Sequence, residues 1–392
     1  MEKTINIVPG FSWFGKNIGI KNDTLDFGGV ISDVPCSAAA VFTRNTMPGA
    51  PIIVGREHVA NGQLQAIIVN SKNANVATEL RGVEDSRRIC QLVAESCGIS
   101  AELVLPSSTG VIGRYLPMDV IEAGCQQLKQ DFGTTEQHIG NFARSIMTTD
   151  SRPKWVSAKV GNATILGVAK GAGMIEPNMA TMLSYFMTDA DIPSDALQVM
   201  LKRVVNQSFN RISIDTDTST SDTVAILANG IGGKIDLVEF EKTLLEMAVF
   251  LAKEIARDGE GATKLIELTV SGAQTQQQAL LTAKSIVNSP LVKTAIYGAD
   301  PNWGRFVMAI GKVFDYTVAI KDLKIYFGKD KEYYIDADVI DRNAVPLDEI
   351  SSVLKSDTVF IEVMIGTGSY TERVWGCDLT EGYIKENAYY TT

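Results

Sequence analysis

Imidazole is nearly absent from this chain: 392 residues hold two histidines, His58 and His138. Neither lies near the segments with recognisable chemistry, so histidine-rich zinc sites and His-based catalytic triads are poorly supported. The cysteines Cys36, Cys90, Cys97, Cys125 and Cys377 are odd in number, scattered and without CxxC spacing, which fits a reduced compartment rather than a disulfide framework. Positive charge is also in deficit. The formal net charge is -10, which leaves no extended basic surface for phosphate backbones and argues against a nucleic-acid partner. No run approaches the eighteen or so apolar residues of a membrane span, and MEKTINIVPG lacks the apolar centre of a secretory signal, so a cytoplasmic protein is expected. With 45% hydrophobic and 21% charged residues the composition is that of a globular protein, long enough for a large core.

What the chain does contain is glycine-punctuated, hydroxyl-rich segments. The most informative is KGAGMIEPNMATML, Lys170 to Leu183, where Thr181 follows small residues and precedes the apolar run MLSYFM. A β-hydroxyl there can attack the carbonyl before it, shift the acyl group from nitrogen to oxygen and allow hydrolysis, cutting Ala180–Thr181. Cleavage leaves an α-amine with an ordinary pKa of about 7.7–8.0, able to act as base for its own threonine hydroxyl without a histidine. An Ala-Thr pair taken alone would more often just begin a strand after a glycine turn.

Around it the pattern alternates short β-rich runs with helical periods. AIIVN (66–70) reads as a buried strand; Ile89, Leu92, Val93 and Cys97 recur at helical spacing up to Gly98. LVLP runs into the turn SSTGVIG (107–113), and Pro117 opens a helix expected to reach about Lys129. Gly161-Asn162 between KWVSAKV and ATILGVA marks a β-hairpin leading to Lys170. After Thr181 a strand is expected, then helices over about 193–208 and 238–257. From about residue 265 the pattern is strand-rich with two or three helices. The fold class expected is α+β, a layered sandwich with a main lobe over 1–264 and a smaller C-terminal lobe over 265–392. Cleavage would divide it into chains 1–180 and 181–392 of one folded body. Two tempting motifs fail on spacing. DTDTSTSD has Thr220 and Ile226 where a calcium loop needs glycine and glutamate, and DGEGATK lacks the gap of a phosphate-binding loop. No metal and no nucleotide are expected.

Eight blocks, NSKNANVAT (70–78), SSTGVIG, IMTTD (146–150), KGAGMIEPNMATML, SIDTDTSTSDT (213–223), DGEGATK (258–264), DPNWGR (300–305) and WGCDLT (375–380), stand in the order found in the ornithine acetyltransferase family, also called bifunctional glutamate N-acetyltransferases. The chain resembles that family along nearly its whole length. The resemblance implies a self-cleaving acetyltransferase of arginine biosynthesis with Thr181 as nucleophile, acting without a cofactor, with acetyl-CoA left open as an alternative donor. It further implies an assembly of two α and two β chains. Thr109 and Gly110 match the family's oxyanion pair, whereas Thr148, Lys170, Thr181, Glu260, Asn387 and Thr392 match its substrate contacts, with Thr149 an adjacent alternative to Thr148. Chemistry agrees with these types. An α-carboxylate wants a cation such as Lys170, a δ-ammonium wants a carboxylate such as Glu260, and the flanking Gly259 and Gly261 suit entry into a tight site. Glu176 departs from the histidine that many members carry, and MTTDSRPK with CDLTEGY resembles the variant of clavulanic acid gene clusters. Two alternatives therefore stand beside arginine biosynthesis, an N-terminal-nucleophile amidase or aminopeptidase and a secondary-metabolite acetyltransferase. A non-enzymatic binding protein that never cleaves is a third.

Overall fold

A computed structural model of the chain describes residues 5–176, 182–338 and 345–389. The proposed scissile pair Ala180–Thr181, and Thr392, lie outside the described residues. Two compact units form. The first holds the described residues up to Asn210 with Asp217–Ile255; the second holds Arg211–Thr216 and the described residues from Ala256 onward.

Along the first unit the elements run β1 (Phe11–Lys16), β2 (Phe27–Phe42), α1 (Ala50–His58), β3 (Gln63–Asn70), α2 (Glu79–Cys97), β4 (Val104–Ser108), α3 (Met118–Cys125) and α4 (Glu136–Ser145). Then follow β5 (Lys154–Val160), β6 (Ala163–Lys170), β7 (Leu183–Ala190), α5 (Ser194–Gln207), the short β8 (Ile212–Ser213) that belongs to the second unit, β9 (Thr223–Gly233) and α6 (Leu237–Arg257). The sheet is mixed, in the order β4-β3-β2-β9-β7-β6-β5, with β1 paired to β2. Alternation on β3 shows why it is layered. Ile67 and Val69 join a cluster with Ile139 and Phe142 of α4, whereas Ala66 and Ile68 join another with Ile89 and Val93 of α2. Both faces are therefore covered. On α6, Phe240, Leu244, Met247, Leu251 and Ile255 are fully buried at helical spacing. Gly161, at φ 55°, closes the β5–β6 hairpin as expected.

Helix α3 stops at Cys125 rather than near Lys129, because Gln127 turns left-handed at φ 57° and a 3-10 turn over Leu128–Gln130 replaces the last turn.

In the second unit β8 is followed by β10 (Leu265–Ala273), α7 (Gln276–Val287), α8 (Pro290–Tyr297), α9 (Gly304–Gly311), β11 (Lys324–Phe327), β12 (Tyr333–Asp336), α10 (Leu347–Leu354), β13 (Thr358–Met364), β14 (Tyr370–Cys377) and α11 (Glu381–Tyr389). The sheet order is β12-β11-β13-β10-β14-β8. On β13, Val359, Ile361 and Val363 alternate inward and pack in one cluster with residues of α7, α8, α9 and α10. Among the described residues five helices replace the two or three expected, since α8, α9 and α10 span only eight residues each and leave little periodic signal. The layered α+β architecture is nonetheless the one expected from the sequence, a mixed sheet with helices in each unit.

Candidate active site

Thr109 and Gly110 lie just beyond β4 in a turn whose shape is imposed by the segment after β3. The Thr109 N–H donates to Asn70 O at 3.0 Å and the Val111 N–H to Lys72 O at 2.9 Å. Between them Gly110 has φ 131°, and a Cβ there would sit 2.2 Å from the Lys72 carbonyl carbon. Only glycine fits. The opposing segment is itself contorted. Lys72, Asn75, Ala77 and Glu79 all have positive φ, at 78°, 51°, 55° and 52°. Buried amides hold it, with Asn70 Nδ2 donating to Asn73 O, and Asn75 Nδ2 donating to Gly82 O and Ser86 Oγ. Neither the Thr109 hydroxyl nor the Gly110 N–H has a hydrogen-bond partner among the described residues. Two donors on a rigid turn are what a developing oxyanion requires. The turn is not a helix N-terminus, because α3 begins only at Met118.

In the same unit, Lys170 ends β6 and its Nζ donates to Thr148 Oγ1 at 3.1 Å. Thr148, rather than Thr149, is the threonine brought to the lysine. Beneath them sits Asp150, whose carboxylate accepts from Lys154 Nζ at 2.7 Å, from the Gly171 N–H at 2.6 Å and from the Thr148 N–H at 3.1 Å. The Asp150–Lys154 side chains are 0% and 1% exposed. Burial alone would raise the carboxyl pKa, but the charges of Lys154 and Lys170 and the hydrogen bonds from Lys154 and the Gly171 N–H hold it down at about 2. Removing one partner of such a pair strands a charge. Asp150→Ala is expected to lose about 3–5 kcal/mol in urea denaturation. Because the folded-state pKa lies below the unfolded one, this stabilisation is full above about pH 4 and fades as pH falls toward 2 in the wild type. An Asp150→Ala chain as stable as wild type at neutral pH would contradict the pairing.

Asp222, just before β9 and 2% exposed, behaves oppositely. Burial pushes its carboxyl well above the ordinary range against the opposing pull of Ser219, Lys170 and Thr43, and its Oδ2 has no partner among the described residues. The two carboxyls are thus pushed in opposite directions, Asp150 down and Asp222 up.

In the second unit, Glu260 Oε2 accepts from Asn387 Nδ2 at 2.7 Å. The DGEGATK segment packs with this unit. The Thr263 and Lys264 N–H groups donate to Asp378 Oδ1 at 2.8 and 2.9 Å, and Thr380 Oγ1 donates to Gly261 O at 2.6 Å. Gly261, at φ 66°, passes so close to the start of α11 that a Cβ would lie 2.3 Å from Tyr383 N. That contact seats the C-terminal helix against the Glu260 turn.

Residues 12–392 match the model of the ArgJ family. The chain belongs to the ArgJ family. A relative from Clostridium acetobutylicum, arginine biosynthesis bifunctional protein ArgJ 2, is 49% identical over 391 residues, 98% of both chains. The glutamate N-acetyltransferase Oat2 of Streptomyces clavuligerus is 44% identical over 395 residues, spanning 100% of both. A crystal structure of ornithine acetyltransferase complexed with ornithine, from Mycobacterium tuberculosis, matches with 35% identity over 44% of this chain and 94% of that chain, at a TM-score of 0.43.

Within this ArgJ-family chain, sequence reading missed Asp150, Lys154 and Asp222. The first two are four apart in TTDSRPK, a spacing with no special meaning outside a helix. The histidines stand apart from these groups, with His58 Nδ1 2.8 Å from Val104 O and His138 Nδ1 2.7 Å from Thr135 Oγ1. Among the described residues no group of three or more His, Cys, Asp or Glu could hold a metal, and no helix is long and apolar enough to cross a membrane.

Proposed function

We propose that this ArgJ-family chain is an acyltransferase that moves the acetyl group of N2-acetylornithine to glutamate, giving ornithine and N-acetylglutamate in arginine biosynthesis. The observation that carries the reading is the pair of donors without a partner among the described residues, Thr109 hydroxyl and Gly110 N–H, on a turn that only glycine can make. Self-cleavage at Ala180–Thr181 frees the Thr181 amine, which takes the proton of its own hydroxyl as Oγ attacks the acetyl carbonyl. Thr109 and Gly110 donate to the resulting oxyanion. Its collapse breaks the amide C–N bond, the proton passes to the leaving ornithine nitrogen, and acetyl-Thr181 remains. Glutamate's free amine then attacks the ester and carries the acetyl group away, returning the proton to Thr181.

Lys170 and Thr148 take the substrate α-carboxylate in this reading, and Glu260, Asn387 and Thr392 serve the side-chain end. The reaction balances without an external cofactor; acetyl-CoA is a further acetyl donor to be tried in the same assay. The two products of cleavage stay together and assemble as two α and two β chains in the cytoplasm. Parallel double-reciprocal lines for N-acetylornithine and glutamate, with ornithine competitive against glutamate, are the expected kinetics, and intersecting lines would contradict a shared acyl-enzyme. Glu260→Gln is expected to raise KM for N-acetylornithine about tenfold or more while changing KM for glutamate little, since only the former offers a δ-ammonium. Equal losses for both substrates would remove Glu260 from that role.

A further inference from the structure

The loop between β1 and β2 reaches the Thr148 segment through one side chain. Asp26, fully buried, accepts the Ile18 N–H at 2.8 Å on Oδ1 and the Lys21 N–H at 2.7 Å on Oδ2, fixing the loop. So anchored, Lys21 donates from Nζ to Met147 O at 2.7 Å and to Leu25 O at 3.2 Å. Met147 adjoins Thr148, which holds Lys170 Nζ. An ammonium has three donors, and Lys21 has a partner among the described residues for only two. The charged groups acting on it are Asp26, Lys170, Asp150 and Lys72. Asp150 is already paired with Lys154, and Asp26 accepts the Ile18 and Lys21 N–H groups, so among the described residues neither carboxylate takes the third Lys21 donor.

From this relay, Lys21 Nζ to Met147 O to Thr148 to Lys170 Nζ, we infer that Lys21 is a positioning residue and second cation for the substrate carboxylate. The inference rests on the amino-acid substrate proposed above. It adds a residue to that site which no sequence block contains. Burial lowers the Lys21 pKa to about 8, with Lys170 and Lys72 pushing the same way and Asp26 and Asp150 opposing. Its charge is therefore present below about pH 8 and lost above it, where carboxylate affinity should fall.

Calorimetric titration of ornithine into the wild type, Lys21→Met and Lys21→Arg, between about pH 6.5 and 9, tests this alongside kcat and KM for acetyl transfer. Wild-type affinity should decline as pH passes about 8. Lys21→Met should bind about tenfold more weakly at the acid end and show a smaller decline across pH 8 than the wild type, with KM raised and kcat little changed. Lys21→Arg, always charged, should lose less affinity above about pH 8 than the wild type, the Thr181 amine titrating alike in both. A Met variant with wild-type affinity and an unaltered inflexion overturns the inference. If the Met variant does not fold, the Arg variant decides, and an alkaline loss there as large as that of the wild type overturns it equally. Ornithine binding is read without catalysis, so a protein that binds in this manner yet transfers no acetyl contradicts the proposed function and leaves Lys21's role standing.

Discussion

Thr181→Ala is expected to give a single folded chain of 42.4 kDa with no acetyl transfer, where the wild type is expected to give two fragments split after Ala180. Both losses have one cause. In the proposed mechanism the hydroxyl that attacks its own preceding carbonyl during maturation is the hydroxyl later acylated by substrate, and alanine would supply neither reaction. Folding should survive, because β7, which begins two residues later, is fully buried and pairs with β6 and β9 regardless of that side chain. Thr181→Ser is the informative companion, since a primary hydroxyl keeps the chemistry. It should cleave and transfer at a reduced rate. Mass spectrometry of the purified variants is the check, and a Thr181→Ala chain still split at residue 181 would assign the cut to another group.

Thr109→Ala should lower kcat by about a hundredfold to a thousandfold, the usual loss when one oxyanion donor is removed. KM should change little, because the donor serves charge that develops only after attack. The backbone supplies a control. Thr109 N–H donates to Asn70 O and does not depend on the side chain, so the turn and the Gly110 donor should persist in the variant. Steady-state rates with N-acetylornithine read this directly. A loss confined to KM would make Thr109 a substrate contact instead.

How far the sequence reveals these groups depends on whether they act locally. The β5–β6 hairpin was legible because Gly161-Asn162 sits between two alternating runs, and the end of α2 because Gly98 takes φ 76° where a helix must stop. Gly110 was legible as a turn glycine, and Thr109, Thr148 and Lys170 were legible because they stand inside blocks that resemble the family's. What could not be read is the support beneath them. Lys21 and Met147 are 126 residues apart, and only sheet topology brings the β1–β2 loop over the Thr148 segment. The ion pair of Asp150 with Lys154 gains its meaning from burial, which the polar string TTDSRPK does not announce. The short helices α8 to α10 were lost for the same reason, since two turns packed against one sheet face need few apolar residues.

Transfer to glutamate, rather than to water, is the central claim, and ornithine release measured with and without glutamate tests it most directly. With N-acetylornithine alone, the wild type should release about one ornithine per Thr181 and then nearly stop, because the acyl-enzyme lacks an acceptor. Adding glutamate should restart steady release, with N-acetylglutamate formed in equal amount. Rapid continuous ornithine release without glutamate, accompanied by free acetate, would contradict the account and leave an amide hydrolase.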